Sequence, residues 1–258
     1  MKNTKLEKLA NKLVKAFVDN KIINKIPVKY CKNMKEAEKL RKLCESKIKQ
    51  PIVAFKAAGT GIPVLKKLGE KEPFYAAIFK NNILKSGMPV KINPYILGIE
   101  LEVGYLIKKN FFHSKGSINF INIHKHISHM MPAIEVVGYR QKKKGIKFLG
   151  DLCSDFGANV KFVIGKKIKY KKINFKNLKS SIENKKIKQL VYGHTNTVYV
   201  NPLNSLKFVL NKLKKDKIIL DKDFYIFTGS TVGVTPILGK GDYQGKIDKL
   251  GSVKARII

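Results

Sequence analysis

The chain has 258 residues, of which 44% are hydrophobic and 28% are charged, and its formal net charge at pH 7 is +35. A chain of this length buries about 70% of its surface on folding, so its core requires neither disulfides nor a structural metal. Three cysteines without a CxxC pair exclude a disulfide scaffold and fit a reducing compartment. The amino-terminal residues contain no long apolar run, so we expect a soluble cytoplasmic protein without signal peptide or membrane anchor.

Lysine supplies almost all of the positive charge. Only three of the 53 basic residues are arginines, and the lysines are spread along the whole chain. Proteins that read nucleic-acid bases use the forked guanidinium of arginine and gather aromatic side chains in a patch, and the sequence shows neither pattern. We therefore expect a lysine-coated surface, with a non-catalytic basic nucleic-acid-binding protein as the alternative.

The first fifty residues predict two helices. Apolar residues recur at three- and four-residue steps from Leu6 to Phe17, which is the period of an amphipathic helix. Asn33 followed three residues later by Glu36 indicates the start of a second helix, which Pro51 ends. We therefore assign residues 1–50 to an N-terminal helical segment and residues 51–258 to a β-rich domain.

Short apolar runs of strand length dominate the rest of the chain. One clear helix interrupts them, with Asn201 as its predicted cap and Pro202 as its first residue. Few helices among many short strands indicate the α+β class, not a doubly wound parallel sheet. The polar stretch of residues 170–188 predicts a weakly structured surface insertion. The predicted strands are residues 52–55, 96–107, 133–137, 161–164, 198–200, 224–227 and 253–258.

Two acidic residues alternate with apolar ones in the sequence IELEV. In a strand this alternation places Glu100 and Glu102 on one face, about 7 Å apart along the chain. The alternative is a half-buried strand whose solvent face happens to be acidic. In a chain with only 18 acidic residues, two adjacent like charges call for a functional explanation.

A third glutamate, Glu135, has apolar neighbours on both sides and is predicted to be buried. A buried carboxylate needs a cation or a proton, because unpaired burial is costly. Arg140 or a nearby lysine could be that cation. If Glu135 instead meets Glu100 and Glu102, three repelling carboxylates would be stable around a hard divalent ion such as Mg²⁺ or Mn²⁺.

These acidic segments belong to a series of short motifs that runs along the chain. After the ExE strand come PAIE (132–135), NPLNSL (201–206), FTGS (227–230), and GKGD (239–242) with a closing LGSV (250–253). In this order, the chain resembles the 2-keto-4-pentenoate hydratase branch of the fumarylacetoacetate hydrolase superfamily over nearly its whole length. The resemblance implies a mixed β-sandwich roll of that type, preceded by the helical segment, and a homo-oligomer.

The resemblance also implies an active site. Glu100, Glu102 and Glu135 would hold Mg²⁺ or Mn²⁺, and Lys56, which ends an apolar strand, falls where relatives place an active-site lysine. The alternative for Lys56 is one more surface lysine. Phe74 stands where relatives carry an aspartate, so Glu72 is the predicted substitute acid. The predicted substrate-binding residues are Asn159, Thr228 and Ser230.

The implied reaction is the addition of water to a 2-hydroxy-2,4-dienoate of the 2-oxopent-4-enoate type, which yields a 4-hydroxy-2-oxo acid. A hydro-lyase of this kind acts on small 2-oxo acids in the breakdown of aromatic compounds. A decarboxylase or C–C hydrolase of a related 2-oxo diacid is the alternative within the same chemistry. We expect neither a membrane nor a nucleic acid as a partner.

Three histidines suggest a different metal site. His124, His126 and His129 lie close together in sequence, but only the last two have helical spacing and no acidic residue is near. The alternative to a zinc site is a solvated helix just before the strand that begins near Pro132, and we prefer that interpretation.

Overall fold

Two long helices precede the first strand in the computed structural model, which describes residues 4–93, 95–143 and 145–258. The α-helices are α1 (Thr4–Asp19), α2 (Met34–Ser46), α3 (Ile62–Lys67), α4 (Gly150–Cys153) and α5 (Pro202–Lys215). The strands are β1 (Ile52–Ala58), β2 (Phe74–Phe79), β3 (Ile83–Lys85), β4 (Pro89–Val90), β5 (Ile96–Ile107), β6 (Ile127–Gly138), β7 (Asn159–Ile164), β8 (Ile168–Lys169), β9 (Lys179–Asn184), β10 (Gln189–His194), β11 (Phe224–Ser230), β12 (Gly241–Ile247) and β13 (Gly251–Ile257).

The strands form two sheets. The larger has the order β2-β1-β11-β5-β6-β7-β3, with β8 paired to β6, and the smaller has the order β10-β9-β12-β13-β4. Most neighbours are antiparallel, but β1 runs parallel to β11 and β3 runs parallel to β7. The sheets contain both parallel and antiparallel pairs, and the helices do not alternate regularly with the strands. Both features confirm the predicted α+β class.

The smaller sheet packs against one face of β5 and β6. A Cβ atom at Gly245 of β12 would lie 2.6 Å from Cδ1 of Leu101 and 3.4 Å from Cδ1 of Ile134, so a larger residue there would displace the Leu101 side chain. Since side chains alternate along a strand, Glu100 and Glu102 on either side of Leu101 point to the opposite face. Sheet packing thus directs the acidic residues away from the second sheet.

The N-terminal helices share the main core with the larger sheet. Leu13 of α1 and Leu40 of α2 are completely buried in the same apolar cluster as Phe55 of β1. The Asn33 side chain caps α2 by accepting a hydrogen bond from the Lys35 amide at 2.8 Å, where the sequence predicts this helix start. The assignment of residues 1–50 to a separate segment stays a prediction.

The predicted helix after Asn201 is confirmed. The Asn201 side chain accepts a hydrogen bond from the Leu203 amide at 3.0 Å, and Pro202 is the first residue of α5. Among the described residues, no helix has both the length and the apolar character needed to span a membrane.

Two expectations about local structure are wrong. Residues 198–200 form no strand, because Tyr199 and Val200 adopt left-handed backbone with φ of 46° and 68°. The stretch 170–188 contains β9, and Phe175 and Leu178 anchor it in the core, so sparse apolar residues suffice there. Strand β2 is absent from the predicted strands, although all six of its residues are buried.

Candidate metal centre

Three glutamates meet at the centre of the larger sheet. Glu100 on β5 is directly opposite Glu135 on β6, and Glu102 follows two residues later on the same face of β5. One carboxylate oxygen from each lies within 4.8 Å of the others. Glu102 and Glu135 are completely buried, whereas Glu100 is half-buried and gives the group its access to solvent.

Lys56 on β1 reaches the same place. Its Nζ donates hydrogen bonds to Oε1 of Glu135 at 2.5 Å and to the carbonyl oxygen of Gly157 at 3.2 Å, and its side chain is almost fully buried. Burial by itself would lower the pKa of the ammonium, but the carboxylates of Glu135, Glu100 and Glu102 hold this pKa above its usual value. Lys56 is therefore a charged member of the cluster and not a surface lysine.

The carboxylates hold protons more strongly than ordinary glutamates. The pKa of Glu100 is raised to about 7, and burial is the largest cause. Repulsion by the Glu135 carboxylate also raises this pKa, and its effect is larger than the opposing effect of the Lys56 ammonium. Burial likewise raises the pKa of Glu102 to about 7 against the opposing effect of Lys56. The pKa of Glu135 lies well above its ordinary value, chiefly through burial. One ammonium does not compensate three clustered carboxylates.

Two carboxylate oxygens lack any partner. Oε1 of Glu102 and Oε2 of Glu135 are buried without a hydrogen bond. With all groups ionised, three carboxylates and one ammonium carry a net charge of −2, which a single divalent cation would neutralise. An oxygen-only donor set with unpaired lone pairs suits a hard cation, and these residues therefore fit Mg²⁺ or Mn²⁺.

Glu102 is oriented by the main chain of β11. The Gly229 amide donates a hydrogen bond to Oε2 of Glu102 at 2.7 Å. Gly229 has a φ of 105°, and a Cβ atom there would lie 2.0 Å from Oγ1 of Thr60. Only glycine adopts this positive φ readily and leaves room for the Thr60 side chain. The sequence motif FTGS contains this residue, but its spacing does not show that the amide faces a carboxylate.

A left-handed turn presents the carbonyl group that binds Lys56. Phe156, Gly157 and Ala158 have φ values of 52°, 70° and 56° in succession. Such backbone costs about 1–3 kcal/mol at each residue other than glycine, so the surroundings must hold it in place. The sequence carries no signal for this turn beyond its single glycine.

Arg140 and its partners hold that turn. The Arg140 amide donates to Oδ2 of Asp155 at 2.8 Å, and its Nη2 donates to the carbonyl oxygen of Asn159 at 2.5 Å. Arg140 is the alternative partner predicted for Glu135, but it pairs with Asp155 on the other side of the turn. Lys56 is the cation that Glu135 contacts.

Each of the predicted substrate-binding side chains donates a hydrogen bond to the main chain. Asn159 is buried, and its Nδ2 donates to the carbonyl oxygen of Phe156. Thr228 Oγ1 donates to the carbonyl oxygen of Val103 at 2.9 Å. Ser230 is paired with Glu102 across β11 and β5, and its hydroxyl donates to the carbonyl oxygen of Gly233. Each hydroxyl oxygen keeps acceptor capacity.

Glu72 does not join the cluster. Its side chain is 60% exposed and pairs with Lys212 of α5 at 3.1 Å. It lines a surface cavity, and neither Lys56 nor any of the three clustered glutamates contributes to the lining of that cavity. Glu72 belongs to the exposed segment before β2, and the chain becomes buried only from Pro73 onward. The geometry therefore gives no support to Glu72 as the substitute acid.

The three histidines do not form a metal site. His124 lies in a short 3₁₀ turn and its Nδ1 is 2.5 Å from the hydroxyl of Tyr170, while His129 is already in β6. The expected solvated helix is therefore absent from this part of the chain. Within the three described stretches, the glutamates are the one group of three side chains placed to share a metal ion.

The fold is that of the fumarylacetoacetate hydrolase superfamily. Over 100% of this chain and 99% of the other, it matches 4-oxalocrotonate decarboxylase from Pseudomonas putida G7, complexed with magnesium and adipate, with a TM-score of 0.86 and 18% identity. Fumarylpyruvate hydrolase from Pseudomonas aeruginosa, in complex with Mn²⁺ and pyruvate, matches with a TM-score of 0.56 and 13% identity over 82% of this chain and 92% of that one.

Within that fold, the chain is similar in sequence to 2-keto-4-pentenoate hydratases, which confirms the resemblance found in its motifs. The protein of that name from Burkholderia vietnamiensis is 24% identical over 206 residues, or 79% of this chain and 77% of the relative. The one from Paraburkholderia phymatum is 23% identical over 207 residues, with the same shares. No family model matches the chain.

Proposed function

We propose that the chain is a hydro-lyase that binds Mg²⁺ or Mn²⁺ and adds water to a 2-hydroxy-2,4-dienoate, which yields a 4-hydroxy-2-oxo acid. The observation that carries this proposal is the group of three clustered glutamates with two unpaired oxygens and one ammonium. The names of the two curated relatives support hydration in particular.

Glu100, Glu102 and Glu135 would hold the cation. Because Glu102 and Glu135 are buried and Glu100 is half-buried, the substrate would approach from the Glu100 side. A divalent cation held there would act as a Lewis acid toward the oxygen atoms of a 2-oxo acid. The Gly229 amide keeps Glu102 oriented, so the donor set is arranged before the cation arrives.

Lys56 would orient the substrate or move a proton. An ammonium has three N–H donors, and the hydrogen bonds to Glu135 and Gly157 use two of them. The third is left to donate to the carboxylate of a 2-oxo acid. Because the neighbouring glutamates keep its pKa high, Lys56 would approach the substrate as a cation and acid, not as a neutral base.

The pocket residues would complete substrate binding. Ser230 lies opposite Glu102 on β11, Thr228 lies two residues before it, and Asn159 is the first residue of β7. Their oxygen atoms would accept hydrogen bonds from the substrate or from water. Oδ1 of Asn159 is buried and has no partner, which makes it the strongest candidate of the three. We leave Glu72 out of the proposal, and its role stays a prediction.

The test is incubation of the purified protein and Mg²⁺ with a panel of 2-hydroxydienoates and 2-oxo diacids. Loss of ultraviolet absorbance reports consumption of the conjugated substrate, and product mass identifies the reaction. Gain of one water supports the proposal. Loss of CO₂ or a split into two acids would replace hydration by the decarboxylase or hydrolase alternative, on the same site.

A nucleic-acid-binding protein on the same fold would behave differently. It would turn over none of these substrates, its melting temperature would not respond to Mg²⁺, and its affinity for RNA or DNA would fall steeply with salt. The same preparation, tested for melting with and without Mg²⁺, therefore separates this alternative from the enzyme.

A further inference from the structure

A second cavity lies between the end of α1, β4 and β7, away from the glutamates. Its volume is about 470 Å³, within the range of about 300–1,000 Å³ found for small-molecule sites. None of Lys56, Glu100, Glu102 and Glu135 lines it. The proposed reaction therefore makes no use of this cavity.

The polar end of the cavity is cationic. Arg140, Lys161 and Lys91 line it, and none of its described lining residues is acidic. Arg140 is 8% exposed, and its Nη1 forms an ion pair with Oδ1 of Asp155 at 3.5 Å. Asp155 does not line the cavity, so the charges of Lys161 and Lys91 have no acidic partner among its described lining residues.

Lys161 adds a second cation that points to the same ligand. Its Nζ donates to the carbonyl oxygen of Asn81 at 2.7 Å, which leaves two of its three donors. Partial burial and repulsion from Arg140 lower the pKa of this ammonium. An anion between Arg140 and Lys161 would relieve the repulsion and accept hydrogen bonds from both.

The other residues that line the cavity indicate which kind of molecule would carry the anionic group. Phe17, Leu84 and Val160 give the cavity an apolar side. Oε1 of Gln50, which also lines it, is buried without a partner. Inorganic phosphate would leave the apolar side unfilled.

We propose that this cavity is a binding site for a small organic carboxylate, whose anionic head lies between Arg140 and Lys161 and whose apolar body contacts Phe17, Leu84 and Val160. The site is separate from the proposed metal centre and does not depend on the proposed reaction.

The test uses sodium hexanoate as the probe, titrated into the full chain by isothermal titration calorimetry in a Mg²⁺ buffer of constant chloride concentration. We expect one hexanoate to bind per chain, with no binding of hexan-1-ol and weaker binding of inorganic phosphate. Equal heats for hexanoate and hexan-1-ol, or tighter binding of phosphate, would contradict an organic carboxylate site.

Two variants locate the probe. Lys161→Gln removes one cation and is expected to weaken hexanoate binding about tenfold, the usual effect of losing one charged hydrogen bond. Val160→Phe fills the apolar side and is expected to abolish binding without a change of charge. Lys166→Gln, an exposed lysine just after β7, is the matched control and is expected to bind as the wild type does.

The Glu102→Gln variant separates this site from the metal centre. We expect it to bind hexanoate with unchanged affinity. Loss of binding in Glu102→Gln, or unchanged binding in both Lys161→Gln and Val160→Phe, would show that hexanoate binds elsewhere and would overturn the proposal. Circular dichroism of each variant shows that it is folded before its binding is compared.

Discussion

Lys56 and Glu135 are 79 residues apart in sequence, yet their side chains form a buried ion pair with 2.5 Å between Nζ and Oε1. This pair uses one oxygen of Glu135 and leaves Oε2 buried and unpaired beside Glu102. The lysine therefore offsets part of the charge of the cluster without closing the space that a cation would occupy. The following predictions test this balance of charges.

The Glu102→Gln variant is expected to lose its response to divalent cations. Removing one of three oxygen ligands should lower kcat/KM by more than about a hundredfold, because even the outer partners of metal ligands contribute 10–100-fold. Without metal, the variant should melt at a higher temperature than the wild type, since the side-chain amide that it introduces can donate to the unpaired oxygen of Glu135. Calorimetric melting with and without Mg²⁺ or Mn²⁺ measures both effects.

Glu70→Gln is the control for that variant, because Glu70 lies outside the cluster and is half-buried. It should keep both the activity and the cation-induced rise in melting temperature. An unchanged rise in Glu102→Gln itself would show that the cation binds elsewhere.

The Lys56→Met variant is expected to destabilise the metal-free protein. Breaking a buried ion pair by removing one partner costs about 3–5 kcal/mol, because the other charge is left uncompensated. The free energy of unfolding in urea measures this loss, with Lys66→Met on the surface of α3 as control. Equal stability of the two variants would contradict the role of Lys56 in balancing the cluster.

The metal-free protein is expected to lose stability as the pH rises from about 5 to 8. The pKa values of Glu100 and Glu102 are about 7 in the folded chain, against 4.5 for an ordinary glutamate. Between these values the folded chain binds more protons than the unfolded chain, so the free energy of unfolding falls with increasing pH.

Divalent cations should reverse this trend, because they bind the ionised carboxylates and stabilise the folded state most at high pH. Urea titrations at several pH values, with EDTA or with Mg²⁺, measure the two slopes. The same slope under both conditions would contradict a metal site at these glutamates.

The Gly229→Ala variant is expected to lose both stability and cation binding. A Cβ atom at this position would lie 2.0 Å from Oγ1 of Thr60, so the strand must move and carry the amide away from Glu102. Gly87→Ala is a matched control, because Gly87 also has positive φ but has no atom within 4 Å of an added Cβ. Melting curves with and without Mg²⁺ compare the two. An equal loss of stability and of the Mg²⁺ response in both variants would show that positive φ alone, and not the contact with Thr60, causes the loss.

The sequence predicted those features that depend on interactions between residues close together along the chain. The caps at Asn33 and Asn201 are determined by side chains bonding amides two residues away, and the sequence alone located both. The alternation around Leu101 likewise predicted that Glu100 and Glu102 share a face, because side-chain direction follows the period of a strand. Strand β9 was missed because it has a single apolar residue, Ile182, which is buried in the core by distant parts of the chain.

The sequence by itself determined the fold class, the resemblance to the hydratases and the three glutamates as candidates. Only the tertiary structure decided that Glu135 meets Glu100 across β5 and β6, that Lys56 shares the cluster, and that Arg140 faces a different cavity. The physical reason is that charge balance depends on distances in space. Nothing in the spacing along the chain reports which cation lies beside which carboxylate, or which buried oxygen is left without a partner.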